Sequence, residues 1–327
     1  MHILITGAAG MIGRKLTERL VRDGGLNGQQ IAKLTLIDIV APAKPSSFTG
    51  NVIASAADLG APGAADNAVA GRPDVIFHLA AIVSGEAELD FDKGYRVNLD
   101  GGRALFEAIR RHGQSYHPKL VFTSSIAVFG APYPDAIPDE FHLTPLTSYG
   151  TQKAICELLI ADYSRRGVFD GVGVRLPSIV VRPGKPNKAA SGFFSSIIRE
   201  PLAGMETILP VEESVLHWHA SPRSAVGFLI HAAGLTREQL GPRVNLTMPG
   251  VCCTVGEQIA ALKRVAGEKA VTRIRREPDP LIARIVAGWP SRFDARRATS
   301  LGFKVEQTFD DIIRAHIEDE LGGKIAA

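Results

Sequence analysis

"HILITGAAGMIGRKLTERLVRDGG", residues 2–25, opens with an apolar run, turns through three glycines and then places apolar residues at 12, 16, 20 and 21. The opening run has the length and continuity of a short strand covered on both faces. The later apolar positions share one helical face, and Gly24 and Gly25 stop the helix. Gly7, Gly10 and Gly13 stand at the junction. A glycine at 7 permits a tight turn, Gly10 lets the backbone approach a pyrophosphate, and Gly13 lets the helix lie on the sheet. The N–H groups of the helix start, at Met11 and Ile12, then face the anion. The spacing is GxxGxxG rather than GxGxxG, and three glycines alone are a weak signal. Their place between the first strand and the first helix marks a dinucleotide site.

Further along, "KLTLIDIV" (33–40), "PDVIFHLAA" (73–81), "KLVFTSSIAVFG" (119–130) and "GVGVRLPSIVV" (171–181) repeat the continuous apolar signature. Helical patterns lie between them, for example at 97–111 and 148–166. Hydrophobic strands alternating with helices imply an α/β fold, a Rossmann-type doubly wound parallel sheet with helices on both faces. After about residue 182 the rhythm changes. "RPGKPNKAASGFF" reads as a loop, "WHASPRSAVGFLIHAAG" as a helix start, "RVNLTMPG" (243–250) as one more strand, and the remainder as mostly helical. A dinucleotide-binding domain is expected over 1–181 with a return segment at about 220–248. A smaller, mostly helical substrate lobe is expected over 182–219 and 249–327.

The chain of 327 residues is 45% apolar and 22% charged, which fits a folded globular protein rather than a disordered one. Its net charge of +3 is spread out, and the one basic cluster, "RIRREP" at 273–278, reads as solvated surface, so no nucleic-acid partner is expected. Three cysteines argue against a disulfide framework or a zinc site and for a reducing, cytoplasmic setting. No apolar run reaches the length of a membrane span, and the N-terminus enters folded structure at once.

Asp38 ends the second strand, where a carboxylate would bind the adenosine ribose hydroxyls and repel a 2′-phosphate. The cofactor expected is therefore NAD rather than NADP. Asp58, with Leu59 after it, is a second candidate neighbour of the adenosine. "LTSYGTQKAICELL" (146–159) sets Tyr149 and Lys153 on one helix face, four residues apart. A free phenol has a pKa of about 10, and lowering it by three units requires roughly 4 kcal/mol of preference for the phenolate. A neighbouring ammonium and a cationic nicotinamide are suitable perturbers. "FTSSIAVFG", upstream on a strand end, adds a hydroxyl at Ser124 or Ser125 that could hold a substrate oxygen.

With these elements in order, the chain resembles the extended short-chain dehydrogenase/reductase family over essentially its full length. "TGAAGMIG", Asp38, "HLAA" at 78–81, Asn98 in "YRVNLDG", "TSSIAVFG" and "YGTQK" carry the resemblance. It implies Ser125, Tyr149 and Lys153 as the catalytic group, with Lys153 also holding the nicotinamide ribose and Ser124 in support. It implies Asn98 as the orderer of a relay water, and Ala80 and Pro177 beside the cofactor. It also implies a homodimer paired through the helices at 97–111 and 148–166.

The family includes nucleotide-sugar epimerases and dehydratases, and two details lean away from them. Ser178 in "RLPSIVV" stands where an asparagine is usual, and "HWHASPRSAV" (217–226) replaces their arginine-bearing segment. "HLAAIVSGE", "RLPSIVV" and "AGWPSRFDARRA" resemble instead the branch that acts on small substrates. Within it, "AIVSGEAELDFDKGYRVNLDG", "RPGKPNKAASGFFSSIIREPLAG" and "HWHASPRSAVGFLIHA" resemble members that oxidise a four-carbon sugar acid with NAD. Amino-acid oxidation of the L-threonine 3-dehydrogenase kind, sugar-nucleotide epimerisation and non-catalytic NAD sensing remain as alternatives. For the substrate, Ser84 is a candidate, and Arg182 either contacts a carboxylate or braces its loop. His217 and His219 lack a third metal ligand at sensible spacing, so substrate or packing roles are expected of them. Trp289 reads as core or pocket lid.

Overall fold

The structure is a computed structural model and describes residues 1–184 and 190–326. Part of the "RPGKPNKAASGFF" loop, residues 185–189, lies outside the described residues. The chain divides into two compact units, the first formed by Met1–Val128, Pro145–Arg175 and Val226–Leu246. Phe129–Thr144 belongs to the second, with Leu176–Ala225 and Thr247–Ala327. The domain expected over 1–181 thus lacks 129–144 and 176–181, which belong to the second unit.

The strands of the main sheet are β1 (His2–Thr6), β2 (Lys33–Asp38), β3 (Asn51–Ala56), β4 (Val75–His78), β5 (Lys119–Ser125), β6 (Asp170–Leu176) and β7 (Asn245–Thr247). Across the sheet they run β7-β6-β5-β4-β1-β2-β3, and β3 through β5 pair in parallel. The order 3-2-1-4-5-6 defines a doubly wound Rossmann-type sheet, whose switch point lies between β1 and β4. Continuous burial follows from coverage on both faces: Ile3, Leu4 and Ile5 of β1 and Ile76 and Phe77 of β4 are fully buried. Register sets Thr6 level with Ile37 and with His78, and His78 level with Phe122. The carboxyl ends of β1, β2, β4 and β5 therefore share one edge.

Helix α1 (Met11–Asp23) ends where Gly24 adopts a left-handed conformation. The patterned helix at 97–111 forms in two parts, a π-helical turn at Tyr95–Asp100 and α2 (Gly101–Arg111). Helix α3 (Ser148–Arg165) starts at Thr147, whose side chain accepts from the Gly150 N–H. Gly150 is required there because a Cβ would sit 2.2 Å from the Ala127 carbonyl oxygen. The helix start thus lies directly on the turn that follows β5.

Beneath α3 a buried ion pair joins three elements. Glu157 of α3 is fully buried and receives a forked contact from Arg175 of β6, at 2.8–3.1 Å. The Ser124 hydroxyl of β5 donates to the same carboxylate at 2.5 Å, and Asn245 of β7 donates to the Glu157 carbonyl.

In the second unit, strands Ser178–Ile179, Leu216–Ala220 and Val251–Thr254 form a small sheet. Helices Phe193–Leu202, Val255–Ala266 and Phe309–Leu321 supply much of its core. The basic cluster at 273–278 includes a strand, Ile274–Arg276, whose arginines meet acids: Arg276 contacts Glu213 at 2.6 Å, and Arg275 pairs with Glu277. Among the described residues no helix is long and apolar enough to cross a membrane.

Removing one member of a buried pair leaves the other charge unpaired, at a cost of about 3–5 kcal/mol. Arg175→Met is expected to lower the urea unfolding free energy by about that amount. The double variant Glu157→Leu/Arg175→Met is expected to recover much of the loss.

Candidate active site

Gly7 turns the chain at φ +74°, and a Cβ there would lie 2.7 Å from the Ala80 nitrogen and the Leu79 carbonyl carbon. The glycine thus serves both the turn and the close passage of the loop after β4. At Gly13 a Cβ would stand 2.2 Å from the Gly7 carbonyl oxygen, so any side chain would push the loop open. Gly10 is the N-cap of α1, which has no side-chain cap and no acidic residue in its first turn. The N–H groups at the start of this 13-residue helix keep their affinity for an anion.

Asp38 closes the adjoining edge. Its carboxylate accepts from the Ala9 N–H at 2.9 Å and from the Ile39 N–H at 2.7 Å, which ties the end of β2 to the glycine loop. Each carboxylate oxygen keeps acceptor capacity beyond these bonds. Asp58 accepts from the Gly60 N–H at 3.0 Å and pairs with Arg96. Partial burial works to raise the Asp58 pKa, yet the Arg96 and Gly60 contacts hold it below the usual carboxylate value. Leu59 beside it is buried, and the Ala80 N–H lies 3.4 Å from the Thr6 hydroxyl. A dinucleotide suits this donor and acceptor set: an uncapped helix start for the diphosphate and a strand-end acid for a ribose.

At the ends of β5 and α3 the polar groups converge. Lys153 is 2% exposed, and its Nζ donates to the Thr123 carbonyl at 2.8 Å. The ammonium lies 4.7 Å from the Phe122 ring centroid and 5.7 Å from that of Tyr149, within cation–π range of both. An ammonium has three N–H groups, so two remain beyond the Thr123 bond, and ribose hydroxyls would suit them. Burial pulls the Lys153 pKa down to about 8, opposed by the Cys156 thiol and Glu157.

Under Phe122 stacks His78, fully buried, with Nδ1 2.7 Å from the Thr6 hydroxyl. Burial, aided by the Lys153 charge, drives its pKa to about 3, so it is neutral and adds no second cation. Ser124 is committed to Glu157, while the Ser125 hydroxyl makes a local contact, accepting from the Ala127 N–H at 3.1 Å. That division separates the two candidate serines: Ser124 is buried and committed to Glu157, and Ser125 is partly exposed.

Asn98 sits on the π-helical turn and is 2% exposed. Its Oδ1 accepts from the Ile82 N–H at 2.8 Å, and its Nδ2 donates to Gln152 Oε1 at 2.8 Å. The side chain is therefore engaged with protein on both its oxygen and its nitrogen. Ser84 opens a short helix, Ser84–Leu89, and is partly exposed.

Pro177 and Arg182 belong to the second unit. Pro177 is buried between β6 and Ser178–Ile179. Arg182 Nε donates to the Ile179 carbonyl at 2.9 Å, its main-chain N–H donates to the Ser195 hydroxyl, and one guanidinium arm lies 3.4 Å from the Ser191 hydroxyl. These contacts brace its own loop.

His217 and His219 are core residues. His217 bonds Ser178 at 2.6 Å and stacks on Phe194, while His219 lies against Gln258 and Phe309. Burial lowers both pKa values, that of His217 to about 3. Among the described residues no three ligating side chains gather as a metal site would need. Trp289 packs against the same core, 5.5 Å from the His217 ring.

Gln152, Glu157, Arg175 and the depth of His78 are not among the candidates that the sequence motifs single out. Glu157 carried a signal, since it continues the four-residue spacing of Tyr149 and Lys153 along an otherwise apolar stretch. Arg175 and Gln152 carried none, because their partners lie far away in the chain.

Residues 3–219 match the NAD dependent epimerase/dehydratase family, and the chain belongs to it. It is an NAD-dependent oxidoreductase by class. The chain is 46% identical over 323 residues to a D-erythronate dehydrogenase of Cupriavidus necator, covering 98% of both. It is 42% identical to a D-erythronate dehydrogenase of Haemophilus influenzae, over 98% of this chain and 100% of that one. Among solved structures it is similar to a nucleoside-diphosphate-sugar epimerase from Agrobacterium tumefaciens, with TM-score 0.97 and 67% identity over 99% of this chain and 95% of that one.

A lysine buried with a depressed pKa weakens the apo protein, because its charge is favoured when unfolded. The folded value of about 8 lies below the usual 10.5. The cost is full below about pH 8 and is relieved as pH rises toward the unfolded value, where the unfolded chain binds more protons. Lys153→Met is accordingly expected to raise the apo unfolding free energy at pH 7, by on the order of 1–3 kcal/mol. The gain should shrink between pH 8 and pH 10.5, as denaturant titrations at several pH values would show.

Proposed function

We propose that the chain oxidises a secondary hydroxyl of a small sugar acid, D-erythronate to its 2-oxo acid, with Tyr149 as general base. For the substrate, the full-length likeness to two D-erythronate dehydrogenases carries the reading. For the chemistry, the buried ammonium of Lys153 near the face of Tyr149 carries it. A cation at that position favours the phenolate and makes the tyrosine a usable base near neutral pH.

In this reading the Tyr149 oxygen takes the proton of the substrate hydroxyl as the carbon releases a hydride. Bound NAD⁺ supplies the hydride acceptor. Ser125 donates to the substrate oxygen and holds it in line with Tyr149, while Ser124, tied to Glu157, keeps the end of β5 in place. Lys153 keeps its charge near the phenolate and offers its remaining N–H groups to the ribose. Ser84, on the loop after β4, is proposed to meet the substrate carboxylate. The bracing contacts of Arg182 favour a loop role for that residue.

The name of the Agrobacterium relative favours a second reading, epimerisation of a nucleotide sugar. An epimerase regenerates its own NAD, so net release of NADH separates the two. Purified protein with NAD is expected to reduce it with D-erythronate and not with L-threonine or UDP-glucose, as read by absorbance of the reduced nicotinamide. Conversion of UDP-glucose without net NADH would support the epimerase reading instead. Tyr149→Phe is expected to lower kcat at least about a thousandfold while leaving the NAD Kd within about threefold; near-normal turnover in that variant would remove Tyr149 as the base.

We also propose a homodimer paired through α2 and α3. Leu158 on α3 is 65% exposed and Phe91, just before the π-helical turn, is 58% exposed, apolar side chains that a second copy would cover. Leu158→Glu is expected to yield a monomer by light scattering.

A further inference from the structure

Gln152 lies between Tyr149 and Lys153 in the sequence, yet it is wholly buried and bonds in another direction. Its orientation follows from a chain of donors. The Ile82 main-chain N–H can only donate, so the Asn98 atom 2.8 Å away is Oδ1. Asn98 Nδ2 then faces the Ile82 carbonyl at 3.3 Å and Gln152 at 2.8 Å. The Gln152 atom that receives it must be Oε1. Gln152 Nε2 is left with no hydrogen-bond partner among the described residues.

A buried amide with an unused donor destabilises the fold relative to a satisfied one. An apolar side chain of similar volume would carry no such cost. Other features accommodate the same amide. Gly94 leaves it room, since a Cβ there would stand 2.7 Å from Gln152 Nε2. The π-helical turn Tyr95–Asp100 holds Asn98 within reach of both partners, and such turns commonly occur at functional sites. Asn98 grips both main-chain groups of Ile82, two residues before Ser84 and two after Ala80. The loop after β4 is thereby anchored to the helix that bears the tyrosine and lysine.

We propose that Gln152 is a positioning residue, which fixes the loop 79–84 to helix α3 through Asn98 and so sets the substrate pocket relative to Tyr149. This rests on the reading of Tyr149 and Lys153 as the reaction centre. Gln152 touches no reacting atom. Its effect on the reaction is confined to how well the loop is held.

The test uses the full-length protein and Gln152→Met, which keeps the volume and removes the acceptor. The KM for D-erythronate is expected to rise about tenfold, with kcat and the NAD Kd within about threefold of the parent. Hydrogen exchange at the Ile82 amide is expected to accelerate, because the group that holds Asn98 is lost. Gly94→Ala crowds the same amide without altering α3 and is expected to give the same signature; it serves where Gln152→Met does not fold. An unchanged KM, a KM rise without faster exchange at Ile82, or a parallel loss of kcat and melting temperature would each overturn the proposal. If the parent protein reduces no NAD with any sugar acid, the functional reading fails separately. Exchange at Ile82 then decides the anchoring by itself.

Discussion

The hydrogen bond from Lys153 to the Thr123 carbonyl brings a charged helix residue onto the end of an interior strand. It is possible only because Gly150 lets the start of α3 lie on the turn after β5. A side chain at 150 would lift that first turn away, and the ammonium would lose both its acceptor on Thr123 and the face of Phe122. Placement of Lys153, Tyr149 and Ser125 thus depends on one close backbone approach. The depressed pKa of Lys153 is the energetic mark of that placement. A folded protein keeps such a cost where the buried charge serves another purpose, and phenol activation is the purpose proposed here.

Electrostatics under the site are arranged so that this ammonium has little competition. His78, two layers down, is neutral because burial leaves it no solvent to stabilise a charge. Arg175 is cationic, but its fork is closed on Glu157, which also holds Ser124. A fully paired buried ion pair contributes little net stability compared with apolar packing. It does specify geometry, because the fork fits in few orientations. Here it fixes β5, α3 and β6 relative to one another, and Ser125 is the next residue along β5.

Much of this was legible in the chain. Alternation of buried strands and patterned helices led to the doubly wound sheet, since coverage on both faces imposes continuous apolar runs. The glycines at 7 and 13 were legible because steric demand at a tight loop excludes every other residue. Tyr149 and Lys153 were legible because four residues make one helical turn. The division between Ser124 and Ser125 is legible through the family resemblance and not through local pattern, because adjacent strand residues point to opposite faces and the facing group decides which one is committed. Asn98 shows the same limit. Its residue type does not reveal that its carboxamide is held by Ile82 and Gln152.

By itself, the sequence determined the fold class, the glycine loop, the acid at the end of β2 and the tyrosine–lysine pair. Those features arise from local sterics and from periodicities of two and 3.6 residues, which neighbouring positions record. Only the tertiary structure decided how deep Lys153 is buried, which serine is committed to Glu157, and how Gln152 and Asn98 hold Ile82. Asn98 and Gln152 are 54 residues apart, and Asn98 and Ile82 16. Hydrogen bonds over such separations exist only once the sheet and its helices have closed, and no local pattern encodes them.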